Sequence, residues 1–450
     1  MRLDTTPLRR HRDFRLLFVA GTVFYLGGMV SYVAVPYQLY DLTGSNFAVG
    51  ALGIAELVPL LIFGLYGGAL ADHMDRRRLL IGSAIAQVLL TGVLAWNAFL
   101  DDPHVWLIYA VGALLASAGA LQRPSKDALE PRTVTHDQIA AASALSSFGM
   151  QIGLLVGPAL GGILLASVGI GWCFVVDVIG LVVATLLFFL MRPYPHAGET
   201  TPPSLRAIKE GVLYAARRRD LLGTYLVDIA AMLLAMPVVL FPALVQDIFR
   251  QPELLGLLYS AETVGAMLAT ATSGWVSRVH HHGRAIVIAA TCYGVAIALM
   301  GLMPSLLTAA LFLAIAGAAD MISGIFRSTV WNQTIPDHMR GRLAGIEMLS
   351  YSLGPLGGQV RAGLVADAWS VRASITSGGI ACVVGVTATA LWLRTSGRTT
   401  PARTSTPWRS ARPGPVRRPS GTRRTSPVHR GHIPVVCENG NTFRRRETSG

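Results

Sequence analysis

Twelve apolar runs, each long enough to cross a bilayer, constrain this chain more than any other feature. About 20 apolar residues in helical form cover the hydrocarbon core of a membrane. The runs fall at 16–40, 47–70, 79–100, 105–126, 139–166 and 171–191, then at 220–245, 253–276, 284–303, 306–328, 342–367 and 371–393. Lipid offers no hydrogen-bonding partner, so a span must satisfy its backbone internally, and runs of this length do so as helices. The expected fold is an all-α integral membrane protein with two six-helix bundles. Composition agrees: 14% of residues are charged, against about 25% in a soluble chain. The basic start MRLDTTPLRRHRDF leads into a full-length span rather than a short apolar segment with a cleavage site, so no cleaved signal peptide is expected.

Charge placement orients the spans. The N-terminal arm and alternate loops hold 22 Lys and Arg, whereas the intervening loops hold only Arg250 and Arg372. Positive residues favour the cytoplasmic side, which places both termini and the long central loop in the cytoplasm of a multi-pass cell-membrane protein. The organisation expected is an arm (1–15), a first bundle (16–191), a central loop (192–219), a second bundle (220–393) and a basic, disordered tail (394–450). The formal charge of +13 belongs mostly to that tail, which from Arg394 onward has 13 Arg and two acids. The body is nearly neutral, so nucleic-acid binding is not indicated. The tail, rich in Arg, Pro, Ser and Thr, has too little apolar surface to offset its ordering entropy.

The two halves repeat. Gly50–Val58 reads GALGIAELV and Gly256–Val264 reads GLLYSAETV, at an offset of 206. The same offset sets Gly274 on Gly68 and Arg284 on Arg78, and Arg123 matches Arg327 at 204. A duplicated six-helix unit is a known transporter architecture. Between the second and third spans, GGALADHMDRRRLL (Gly67–Leu80) makes a charged hairpin in which Asp72 is placed to accept from helix N-terminal amides or an arginine.

Six carboxylates lie inside the spans: Glu56, Asp177, Asp228, Glu262, Asp320 and Glu347. Six ionised acids facing lipid would cost roughly 15–20 kcal/mol, so most must face a polar cavity, find a partner or carry a proton. Desolvation favours the protonated form, and a carboxyl poised near neutrality can shuttle protons. Glu56 and Glu262 occupy equivalent places near mid-membrane and, with Asp228, lead as coupling or substrate-binding residues. The competing reading is that such acids bridge helices structurally, which fits Glu347 near the cytoplasmic end best. Arg361, in the eleventh span, is expected to pair with one of these acids.

The fifth span contains GLLVGPALGG, with Gly153, Gly157, Pro158, Gly161 and Gly162. Small residues at four-residue spacing let helices approach closely, and the proline weakens the hydrogen-bond ladder. Gly354, Pro355, Gly357 and Gly358 echo it in the eleventh span. The histidines all lie in loops or termini, and the run His280–His282 reads as a solvated turn in preference to a metal site. No phosphate-binding loop, clustered nucleophile or metalloprotease spacing is present. No cofactor or metal is therefore expected, and a non-transport membrane enzyme is disfavoured. Three of the four cysteines lie in apolar runs, where they serve as small hydrophobes.

These features resemble the major facilitator superfamily over about residues 8–393. GGALADHMDRRR is similar to its loop between helices two and three, and GLLVGPALGG to the fifth-helix signature of its proton-coupled antiporters. PLRRHRDFRLLF, VAVPYQLYDLTGS and the region from VVLFPALVQDIF to LLGLLYSAETVGA are most like its siderophore-exporting efflux members. The resemblance implies a monomeric secondary exporter of a siderophore-like or amphipathic small molecule, driven by protons. It gives Gly68, Asp72, Arg76 and Arg77 a latch role, and Gly157 and Pro158 a role in bending and sealing the fifth helix. His73 and Asp75 depart from the loop pattern, and the fourth-helix arginine motif of many proton antiporters is not evident. An importer, or a uniporter without proton coupling, is the alternative of the same fold.

Overall fold

A proline sets the one clear break in an otherwise regular set of helices. The computed structural model describes the backbone of residues 4–73, 75–194, 213–214, 218–335 and 337–396. A short helix, Thr6–Arg10, precedes twelve longer ones. They are α1 (Arg12–Thr43), α2 (Asn46–His73), α3 (Arg76–Ala98), α4 (Val105–Leu129), α5 (Ile139–Val168) and α6 (Ile170–Phe189) in the first half. The second half has α7 (Arg219–Ala235), α8 (Leu255–Ala271), α9 (His282–Leu302), α10 (Leu306–Thr334), α11 (Asp337–Ala368) and α12 (Val371–Ser396). Among the described residues, eleven helical segments are long and apolar enough to cross a membrane, and α11 adds a 32-residue helix. Most of the central loop and the whole tail from 397 lie outside the described residues.

The seventh span differs from the single helix expected over 220–245. Helix α7 ends at Ala235, and Met236 is extended, with φ −71° and ψ 112°. Pro237 explains this, because a proline disfavours helical backbone in the residue before it and offers no N–H. The chain continues as a 3₁₀ turn (Val238–Leu240), one α turn (Phe241–Ala243) and a π turn (Leu244–Ile248). The eighth span likewise ends as α-helix at Ala271 and finishes in 3₁₀ form over Ser273–Arg278. The join in SVGIG falls at Gly169, whose φ of 90° is open to glycine and strained for other residues.

Caps explain several boundaries. Asp75 accepts from the amides of Arg77 and Arg78 at the start of α3. The turn between α3 and α4 is closed by Asn97 Oδ1, which accepts from the His104 amide at 2.9 Å, while Asn97 Nδ2 donates to the His104 carbonyl at 3.3 Å. Ser305 caps α10 through the Thr308 amide.

Within each bundle the packing repeats. Helix α5 lies on α1, and α11 lies on α7. A Cβ on Gly153 would stand 2.6 Å from Tyr25 Cβ, and one on Gly157 would collide with Met29. In the second bundle, Gly354 meets Met232 at 2.8 Å and Gly358 meets the Met232 carbonyl. Both glycine-proline patterns thus form the same contact, α5 on α1 and α11 on α7. Outward, large apolar side chains such as Leu89, Ile163, Ile288 and Leu307 are each more than 60% exposed, a surface suited to lipid. Trp96, Trp106, Trp172 and Trp369 sit at helix ends on one face, where indoles favour the membrane–water boundary.

Candidate functional site

The two bundles meet along two helix crossings, and both involve the glycines matched by the sequence repeat. A Cβ on Gly50 (α2) would stand 2.6 Å from the Gln359 carbonyl of α11, and one on Gly53 would stand 2.6 Å from that of Leu356. At the other crossing, Gly256 (α8) lies against the Pro158 carbonyl and Ala159 of α5, and a Cβ on Gly162 would stand 2.6 Å from the Gly256 amide nitrogen. Ser260 and Thr263 donate to the carbonyls of Leu155 and Leu154, at 3.1 and 3.5 Å. Asp247 accepts from the Tyr40 hydroxyl, and Asp367 accepts from Ser45, Asn46 and Phe47. These hydrogen bonds between the bundles lie between mid-helix and the face away from the Arg-rich loops.

Just inside this seam stand Glu56 and Glu262. Each lies six residues, about 9 Å, along its helix from the crossing glycine. Both are half-buried. Neither has a hydrogen-bonding or ion-pair partner among the described residues. A Cβ on Gly112 of α4 would stand 3.7 Å from Glu56 Oε1. Tyr32 of α1 stacks edge-on against Tyr259 at 5.5 Å, and Tyr259 does the same with Phe241 at 5.0 Å. The result is an aromatic cluster with residues from both bundles, Tyr259 lying three residues before Glu262 on α8.

A second charged group lies within the second bundle. Arg327 of α10 is 4% exposed and binds Asp228 of α7 directly, and its Nη2 lies 3.4 Å from Asp320 Oδ1. Asp228 also accepts from Ser350 of α11 at 2.9 Å. Helices α8 and α10 touch where Gly317 meets the Glu262 backbone, three residues before Asp320 on α10.

The other sequence candidates fall elsewhere. Asp177 of α6 accepts from Ser31 of α1 and lies 2.7 Å from a Cβ on Gly27, so it bridges two helices of the first bundle. Arg361 does not pair with a carboxylate among the described residues. Its Nη1 donates to the Ser374 carbonyl at 3.4 Å, because its side chain runs toward α12 beside Gly378. Arg77 Nη2 donates to the Phe189 carbonyl at 2.6 Å, tying the start of α3 to the end of α6. Arg76 opens α3 beside it. The helix-capping acceptor at the start of α3 is Asp75, the acid that departs from the family pattern. Gly68 and Asp72 fall on α2 and Glu347 on α11, and their side chains lie outside the described residues. In the fifth helix, Gly153, Gly157 and Gly161 face α1, whereas Pro158 and Gly162 face the other bundle.

Arg327, near the end of the 306–328 run, is buried inside α10. Two signals marked it: its match to Arg123, and its position seven residues after Asp320, which sets both on one helix face. Tyr32, Tyr259, Asp247 and Asp367 carried no such signal.

The description "Transmembrane secretion effector", of the major facilitator type, matches residues 4–414. The chain belongs to that family. It is a multi-pass membrane transporter of the major facilitator type. The Enterobactin exporter EntS of Citrobacter koseri is 28% identical over 396 residues, covering 85% of this chain and 92% of its own. The protein of the same name from Escherichia coli O81 is 26% identical over 390 residues, with the same coverage. Among solved structures, the nucleoside transporter NupG superposes with a TM-score of 0.67 at 12% identity, covering 86% of this chain and 98% of its own. A bacterial homologue of the human lysosomal transporter Spinster does so at 0.65 and 17%, covering 86% and 96%. These structures share the fold of this secretion effector.

Proposed function

We propose that the protein is a proton-coupled exporter of a siderophore-like or amphipathic small molecule, working as a monomer by alternating access. The observation that carries this reading is the pair Glu56 and Glu262, equivalent in the two halves, unpaired, and set just inside the seam between the bundles. With the Arg-rich loops taken as cytoplasmic, the seam closes the outer face, and the two acids stand at the inner limit of that closure. A carboxyl here meets the outside only when the bundles rock apart. Protonation removes the cost of holding a charge between apolar helices, so a proton and the cargo favour different states, which is what coupling requires. Tyr32, 39% exposed and backed by Tyr259, offers a ring face and a hydroxyl group for an amphipathic cargo.

The glycine contacts at Gly50, Gly53, Gly162 and Gly256 let the outer crossings close. Pro158 weakens the ladder of α5 at its crossing, where that helix must bend. Arg77 holds α3 to α6, so the first bundle moves as one body. The names of the curated relatives support export and a siderophore-like cargo. The test uses everted membrane vesicles, with an amphipathic siderophore supplied outside. An inside-acid gradient should drive its accumulation, and reversing the gradient should reverse the net flux. Uptake that ignores the gradient would favour the uniporter reading.

A further inference from the structure

Helix α2 begins where its first amides need acceptors from outside the helix. Its own N-cap supplies one: the Ser45 hydroxyl accepts from the Ala48 amide at 3.1 Å. The amides of Asn46 and Phe47 donate instead to Asp367, at 2.9 Å to Oδ1 and 3.0 Å to Oδ2. Asp367 is on α11, in the other bundle. It also accepts from Ser45 Oγ at 2.6 Å and from Asn46 Nδ2 at 3.0 Å. Four donors of one bundle thus converge on one carboxylate of the other.

A second, independent feature serves the same contact. Gly363, one helical turn before Asp367, lies against the Asn46 carbonyl, and a Cβ there would stand 3.0 Å from Phe47 Cα. Only a residue without a side chain lets the α11 backbone come close enough to present Asp367 to the start of α2.

We propose that Asp367 is an outer clasp: it caps α2 from the opposite bundle only while this face is closed, and so sets the balance between the two states of the transporter. Charge-assisted bonds to helix N-terminal amides are strong, and the carboxylate also complements the positive end of the α2 dipole. Opening the face withdraws the carboxylate and leaves the Asn46 and Phe47 amides to water. The clasp contains no cation, so its partners need no counter-charge when it opens. The inference rests on the alternating-access reading of the fold, but not on the cargo or on proton coupling.

The test measures distances between spin labels on the full-length protein, with Cys292 and Cys437 replaced by serine. One label pair, at residues 102 and 304, reports the clasp face. A second pair, at residues 136 and 280, reports the Arg-rich face. In Asp367→Asn the ratio of open to closed at the clasp face should rise about fivefold or more, with matching closure at the Arg-rich face. Asn46→Ala keeps the Ser45 cap and should shift both distances the same way, by less. Unchanged distributions in both variants would overturn the proposal. So would broadening at the clasp face without closure at the other, which indicates local fraying. If the distances shift as expected while gradient-driven flux is absent from the parent protein, the clasp stands and the exporter reading fails.

Discussion

Gly162 of α5 and Gly256 of α8 meet backbone to backbone across the bundle interface: a Cβ on Gly162 would stand 2.6 Å from the Gly256 amide nitrogen. Gly153, nine residues earlier on the same helix, faces α1 inside its own bundle. Larger side chains at the two positions should therefore fail in different ways. Gly162→Val holds the bundles apart without disturbing the first bundle. A cysteine at Tyr32 should then react several-fold faster with an impermeant thiol reagent added from outside. Gly153→Val should instead lower the thermal midpoint and leave that reactivity unchanged. Equal behaviour of the two variants would contradict the division of the glycine pattern into a packing face and a sealing face.

The Arg327–Asp228 pair is nearly inaccessible, with side-chain exposures of 5% and 1%. Removing one partner of such a pair strands a buried charge, at a cost of about 3–5 kcal/mol, whereas replacing both by apolar residues is often neutral. Arg327→Met should therefore lower the unfolding midpoint of the detergent-solubilised protein, as should Asp228→Leu alone. The double variant should recover most of the loss. If the double variant also retains gradient-driven flux, the pair is structural; if it folds but loses coupling, the pair takes part in proton transfer.

Asp75 caps α3 by accepting from the Arg77 amide at 2.9 Å and the Arg78 amide at 3.3 Å. Asp75→Ala should cost about 0.5–2 kcal/mol, and Asp75→Gly, although glycine is tolerated at an N-cap, less than that. Thermal unfolding followed by fluorescence should rank the two in that order. The relation matters because Asp75 departs from the loop pattern the sequence resembles, and the cap explains why an acid is stable there.

The helices could be read from the sequence because lipid makes one demand on every span, and hydropathy reports it directly. The repeat could be read because Gly50 and Gly256 sit at equivalent crossings, where only a missing side chain lets two helices touch. The break after Ala235 was written in Pro237 but hidden by the apolar residues around it, since hydropathy ignores proline. The burial of Arg327 was hidden for a related reason: a single arginine near the end of an apolar run looks the same as one beyond it. The ion pairs and the Asp367 contacts depend on residues 99 and about 320 positions apart, and no local pattern encodes such pairings. Arg361 shows the limit plainly, because a half-buried arginine calls for acceptors but a backbone carbonyl serves as well as a carboxylate.

The central claim is that Glu56 and Glu262 couple proton movement to export, and proteoliposomes test it most directly. Proton flux and cargo flux are followed together in the wild type, in Glu56→Gln, in Glu262→Gln and in the double variant. Glutamine keeps the shape of the side chain and cannot ionise. The account predicts that at least one single variant, and the double, still exchange cargo down its own gradient but no longer respond to a pH gradient. Undiminished coupling in both single variants and in the double would contradict it.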